Sequence, residues 1–200
     1  ETADEEHYRS LHPLSCLPEN RKRCLYDLKQ IGYQVGCGFM VGSPGQKAEH
    51  LAEDLLFLHK LQPEMVGIGP FIPQRDTPFG DQPAGSLEMT LFLLGIIRVM
   101  LPDVLLPATT ALGTIHPQGL ERGMLAGANV CMPNLTPERV RGQYALYEGK
   151  AEADGKATEN GKPAGVGKAL KILERRMDAG GYRVVVSRGV CRRGLAADEI

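Results

Sequence analysis

Apolar positions along this chain alternate between two rhythms. Cys24, Leu25, Leu28 and Ile31 recur at helical spacing, and so do Leu51, Leu55 and Leu58. They predict helices over 19–31 and 46–61, stopped by Gly32 and closed by Pro63. Short apolar runs over 33–42 and 65–70 predict strands. The second lies between Pro63 and the prolines at 70, 73 and 78, and reads as buried on both sides. Ser86 is placed to cap a helix reaching about Leu101. Residues 105–110 then predict a short strand ending in two hydroxyls, 119–125 a helix stopped by Gly127, and 129–132 another strand. The segment Pro133-Asn-Leu-Thr-Pro137 leads into a helix over 138–147. Residues 1–18 read as polar and irregular, punctuated by Pro13 and Pro18. Strands and helices alternate four times, which predicts a parallel α/β sheet, either open or part of a barrel.

The rhythm changes at 148–168, where Gly and Lys recur and bulky apolar residues are scarce; this reads as a solvated loop. A helix over 169–179 and a strand over 183–187 follow, with Arg188, Arg192 and Arg193 as solvated charge. The expected organisation is therefore an α/β unit over 1–147, a loop over 148–168, and a helix and strand over 169–200.

Glycines add a second pattern to the strands. Residues two apart share a strand face, so Gly67 and Gly69 lie on one face, as do Gly36, Gly38 and Gly42 with Met40 between them. Such stripes either relieve crowding between packed strands or leave a wall that a backbone or flat ligand approaches closely.

Composition narrows the classes. Across 200 residues, 42% are hydrophobic and 24% charged, an ordinary globular balance. A net charge of −1 without a basic block gives no footprint for nucleic acid or an anionic membrane. The longest apolar stretch, 90–100, is interrupted by Arg98 and too short to span a bilayer, and no secretory segment opens the chain. A cytoplasmic location is the expectation. The start at Glu1 rather than Met reads as an incomplete or processed sequence. Five cysteines, at 16, 24, 37, 131 and 191, are scattered without C-x-x-C spacing. Free thiols, rather than a disulfide framework or a zinc site, are expected.

Familiar catalytic motifs fail on inspection. Residues 161–168 (GKPAGVGK) lack the first glycine and the Ser/Thr of a phosphate loop. The glycine stripes lack the third glycine of a dinucleotide fingerprint, and Ser43 sits in G-S-P-G rather than a nucleophile elbow. His7, His12, His50, His59 and His116 show no metal spacing and read as surface residues.

Function in parallel α/β proteins gathers at the C-terminal ends of strands. Those ends here carry Gly42-Ser-Pro-Gly, Pro70-Phe-Ile-Pro, Thr109-Thr110 and Pro133-Asn134, and Glu1-Thr2 would hold the matching place after an upstream strand. The helix over 19–31 brings Asn20 or Arg21 toward the same rim. A carboxylate, a guanidinium and hydroxyls around a bare wall suit a ligand with a flat base and an amino-acid end. Glu1 would pair with an ammonium and Arg21 with a carboxylate, although Arg21 in the Arg21-Lys-Arg23 run reads equally well as a surface arginine.

Glu1-Thr-Ala, Met40-Val-Gly-Ser-Pro-Gly-Gln46, Met65-Val-Gly-Ile-Gly-Pro-Phe-Ile-Pro73 with Asp76-Thr-Pro78, Pro107-Ala-Thr-Thr-Ala-Leu-Gly-Thr114, and Ala126-Gly-Ala-Asn129 with Met132-Pro-Asn134 together carry a resemblance. They resemble the radical S-adenosylmethionine maturases of [FeFe]-hydrogenase, the HydE family, collinearly from Glu1 to about Lys150. Biotin synthase and methylornithine synthase are similar relatives, chiefly at Ala126–Asn129. The resemblance implies a (β/α)8 barrel of the TIM type of which this chain supplies roughly the second half. It implies S-adenosylmethionine on a [4Fe–4S] cluster, a 5′-deoxyadenosyl radical, and an organometallic iron–cysteine substrate made by a partner maturase on the way to the H-cluster. Carried over by position, Glu1 and Arg21 match residues at the two charged ends of the methionyl group. Gly42, Gly67, Gly69 and Pro70 match the adenosine border, and Thr109, Thr110, Tyr144 and Tyr147 match residues lining the substrate cavity. The family's three-cysteine loop has no counterpart here, so no metal ligand is expected in this chain, and the chain alone is expected to be inactive and a poor folding unit. A sister radical enzyme and a non-catalytic barrel remnant are the alternative expectations.

Overall fold

The computed structural model describes residues 1–132, 166–185 and 189–191; the expected loop over 148–168, the helix over 138–147, and Tyr144 and Tyr147 lie outside them. Helix α1 (Glu5–Leu11) occupies part of the stretch read as irregular. Asp4 caps it, its carboxylate accepting the His7 N–H at 2.7 Å, and Glu5 and Glu6 complement the helix dipole in the first turn. Seven residues are too few for a helical period to show, and burial of His7 and Tyr8 supplies what local propensity does not. Helix α2 (Pro18–Ile31) has proline in its first turn and ends at Gly32, whose φ of 97° only glycine adopts without strain. Its apolar stripe is only half covered: Leu25 and Leu28 are partly buried, whereas Cys24 and Ile31 are exposed.

Strands β1 (Gly36–Cys37) and β2 (Met40–Val41) pair in parallel with β3 (Met65–Val66) and β4 (Gly69–Pro70). Gly36 faces Met65 and Met40 faces Gly69, the same offset, so one register continues through the interruption between the two ladders. Close backbone approach explains the interruption: a Cβ on Gly38 would stand 1.8 Å from the Gly67 carbonyl oxygen. Strand β5 (Pro107–Ala108) pairs in parallel with β6 (Val130–Cys131), and a bridge between Met65 and Leu105 joins this ladder to the first. Neighbours in space are therefore successive in sequence. Helices α3 (Ala48–Leu61), α4 (Leu87–Met100), α5 (Thr110–Ile115) and α6 (Gly119–Leu125) make the crossovers, giving the parallel α/β alternation that the sequence predicts.

The core lies between the strands and the helices. Val41, Val66, Ile68, Leu106 and Ala108 pack against Leu58 of α3, Leu93, Leu94 and Ile97 of α4, and Leu112 of α5. Ser86 caps α4 as expected, its hydroxyl accepting the Met89 N–H at 3.2 Å. Met177 of α7 (Val166–Ala179) closes the core beside Met124. The predicted helix there is present, but Tyr182–Val185 forms no strand.

One expectation is overturned at the centre. The segment 65–70 is not buried on both sides: Val66, Ile68 and Pro70 lie beneath helices, while Gly67 is exposed on the opposite face. Alternation in a strand sends every second residue to that face, and no helix covers it among the described residues.

At the other end of the strands, Arg98 ties α4 to the loops. Its guanidinium donates to the carbonyls of Gly127 at 2.7 Å, Pro102 at 2.7 Å and Val104 at 3.0 Å. Truncation leaves those carbonyls short of a donor, so Arg98→Ala is expected to cost about 2–3 kcal/mol in a urea titration. No helix among the described residues is long and apolar enough to cross a membrane.

Candidate functional site

Two cavities meet at Glu1. The first, about 410 Å³, opens at the C-terminal ends of the strands and is bordered by Glu1, Met40, Gly67, Gly69, Pro70, Thr109 and Thr110. The second, about 260 Å³, lies beside the outer edge of β1 and is bordered by Glu1, Thr2, Arg21, Cys37 and Asp54.

The floor of the first cavity is the bare strand face. A Cβ on Gly67 would meet nothing within 4 Å, so this position presents backbone to open space. A Cβ on Gly69 would stand 2.8 Å from Thr109 Oγ1. Thr109 reaches across to β4, and its hydroxyl is buried without a hydrogen-bond partner. An orphaned hydroxyl beside a smooth backbone surface fits a ligand carrying both a flat face and a polar edge. Gly38 also borders this cavity, but a Cβ there would run into the Gly67 backbone rather than open space.

The turn after β2 is built around Gln46 and Gly42. Gly42 has a φ of 78°, and its missing Cβ is matched by Gly85 Cα, which would lie 2.5 Å away. The Gln46 amide donates to the Met40 carbonyl at 2.7 Å and accepts the Gly42 N–H at 2.6 Å, which satisfies the strand end. Gly42 borders neither cavity, because its backbone is spent on that turn. Ser43, next along, is buried, and His7 Nε2 lies 2.8 Å from its Oγ. His7 stacks on His50 with ring centroids 4.4 Å apart. Burial, and then the neighbouring His50, lower the His7 pKa from its ordinary value, which favours the neutral ring. The reading of His7 as a surface residue is thus corrected: the hydroxyl that partners it lies far away in sequence.

Glu1 is fixed through its backbone, its carbonyl accepting the Met40 N–H at 2.9 Å. Its side chain stands 3.6 Å from His12 Nε2, an ion pair when the imidazole is protonated. His12 stacks on buried Tyr8 with centroids 4.1 Å apart. Burial and then the charge of Glu1 raise the Tyr8 phenol above its ordinary value, while Arg21 acts in the opposite direction. Arg21 therefore reaches the surroundings of Tyr8 and Glu1 but borders the second cavity rather than the first. Burial pushes the Cys37 thiol up to about 12, so it is protonated at neutral pH. Among the described residues no group of three or more His, Cys, Asp or Glu side chains is placed to hold a metal ion.

Of the residues singled out in the sequence, Glu1, Gly67, Gly69, Pro70, Thr109 and Thr110 meet at one cavity. The sequence does not single out Asp54: it is one charge among several on its helix, and only its bond to the Ala3 N–H, 51 residues away, distinguishes it.

No family model matches the chain. Over 150 residues, 75% of its length, it is 49% identical to the [FeFe] hydrogenase maturase subunit HydE of Thermotoga maritima, of which it covers 43%. It is 33% identical over 112 residues to the biotin synthase of Corynebacterium jeikeium, matching 56% of this chain and 31% of that protein. It is 30% identical over 148 residues to the 3-methylornithine synthase of Methanosarcina barkeri, matching 74% of this chain and 41% of that protein. The chain thus spans less than half the length of each relative.

Proposed function

From the premise that this chain belongs to the HydE family of radical S-adenosylmethionine proteins, we propose that it forms the second half of a (β/α)8 barrel whose mouth binds S-adenosylmethionine. The carrying observation is the floor at Gly67 and Gly69, open toward Thr109 with its unpaired hydroxyl. The cofactor's adenosyl group lies along that floor, with Gly67, Gly69 and Pro70 at its border. The Glu1 carboxylate takes the methionyl ammonium. Arg21 takes the carboxylate from the second cavity, where Glu1 is shared. Thr109 and Thr110 orient the substrate side of the cavity, and the walls keep water from the reacting centre.

S-adenosylmethionine on a [4Fe–4S] cluster supplies radical chemistry when bound. The cluster does not fit the described residues, which offer it no ligand set. The role of this chain is therefore to bind, orient and shield. The proposed reaction acts on an organometallic iron–cysteine precursor in H-cluster assembly, alongside other maturation proteins in the cytoplasm. The biotin synthase and 3-methylornithine synthase likenesses support a sister radical reaction as the second reading, at lower identity.

Calorimetry with S-adenosyl-L-homocysteine on the gene product that contains this chain tests the site. Glu1→Gln and Arg21→Ala are each expected to weaken binding by about 1–3 kcal/mol, the range for a lost charged hydrogen-bond partner. Unchanged affinity in either variant removes that residue from the site. Product analysis by mass spectrometry on the anaerobically reconstituted protein, offered each substrate class, separates the two reactions.

A further inference from the structure

Asp54 is the most deeply buried carboxylate among the described residues, at 2% exposure, and it sits on α3 among exposed neighbours such as Glu53. One of its oxygens, Oδ1, accepts the Ala3 N–H; the other, Oδ2, is buried without a partner and borders the second cavity. Two residues before Ala3, the Glu1 carbonyl is bonded to Met40 of β2. The three residues Glu1–Ala3 are thus held from both sides, by the strand at one end and by a helix carboxylate at the other.

We propose that Asp54 is a positioning residue for Glu1: from α3 it anchors the Glu1–Ala3 segment, so that the Glu1 carboxylate stands where the two cavities meet. This rests on the reading of Glu1 as the residue that holds the cofactor's ammonium. A buried carboxylate is costly to keep unless its bonds are worth more in the charged form, and a charged acceptor holds a backbone N–H about twice as strongly as a neutral one. Burial raises the Asp54 pKa to about 6, with the Asp4 charge adding to the rise, while the Ala3 N–H and the Thr2 side chain oppose it. Other ionisable groups bordering the same cavity are Tyr8, Arg21, Lys22, Cys24 and Cys37, and His12 faces the Glu1 side chain.

Asp54→Asn keeps an acceptor of the same shape without the charge, and Asp54→Ala removes the acceptor. In the gene product containing this chain, affinity for S-adenosyl-L-homocysteine at neutral pH is expected to fall by roughly threefold to tenfold in Asp54→Asn and further in Asp54→Ala, while Glu53→Gln follows the wild type. Amide exchange at Ala3, read without any ligand, is expected to be slow in the wild type and in Glu53→Gln and to quicken in both Asp54 variants. Wild-type affinity in Asp54→Ala overturns the proposal, and so does Ala3 exchange indifferent to the substitution. Should neither Asp54 variant fold, the wild-type exchange alone decides, and fast exchange at Ala3 overturns the anchor. If the wild type binds no S-adenosyl-L-homocysteine while Ala3 exchange behaves as expected, the cofactor reading fails and the anchoring stands.

Discussion

Gly38→Ala is expected to lower the unfolding free energy by about 3 kcal/mol, the upper end of what overpacking costs, and the melting midpoint by roughly 6–12 °C. A methyl group there would stand 1.8 Å from the Gly67 carbonyl oxygen and 2.7 Å from its carbon. The obstacle is backbone, so no rotamer relieves it, and β1/β2 and β3/β4 must move apart. Both are flanked by the Val41, Val66 and Ile68 packing, so the displacement spreads into the core. Gly67→Ala is the matched control, because a methyl group at Gly67 meets nothing within 4 Å. Denaturant titration of the two variants checks the pair: equal stabilities would mean that the strands are not in the close contact described.

Gly67→Leu should do the reverse. The branched side chain projects from the exposed face into the 410 Å³ cavity, away from the core, and stability should stay within about 1 kcal/mol of wild type. Binding of S-adenosyl-L-homocysteine should weaken by more than about 2 kcal/mol, roughly thirtyfold, because the leucine occupies the floor on which the adenosyl group is proposed to lie. Thr109→Val separates floor from edge, since it keeps the shape and removes only the unpaired hydroxyl. Full affinity in Gly67→Leu would place the ligand elsewhere.

These two glycines illustrate how far the letters reach. Both belong to stripes visible in the sequence, which either relieve crowding between packed strands or leave a wall that a backbone or flat ligand approaches closely. In the structure Gly38 is crowded by the Gly67 backbone while Gly67 faces open space, although they lie side by side. The difference depends on which neighbour occupies the space, and that neighbour comes from another strand. Gly42 makes the same point: its place at a strand end was legible, but its packing against Gly85 was not. The histidines show the opposite error. His7 lacks any spacing that suggests a role, yet it is buried against Ser43 and His50. Asp54 hid in the same way, within a charged helix face that reads as solvated.

What the sequence determined by itself is the succession of elements: the helix ending at Gly32, the cap at Ser86, the helix over Gly119–Leu125, and the parallel alternation of strands and helices. Those features depend on interactions a few residues long, chiefly capping, φ preference and apolar period, and each is written locally. Tertiary structure alone decided which glycine is wall and which is contact, and that a carboxylate on α3 holds the segment bearing Glu1. These depend on pairs separated by dozens of residues, brought together when the strands align and their helices close over one face.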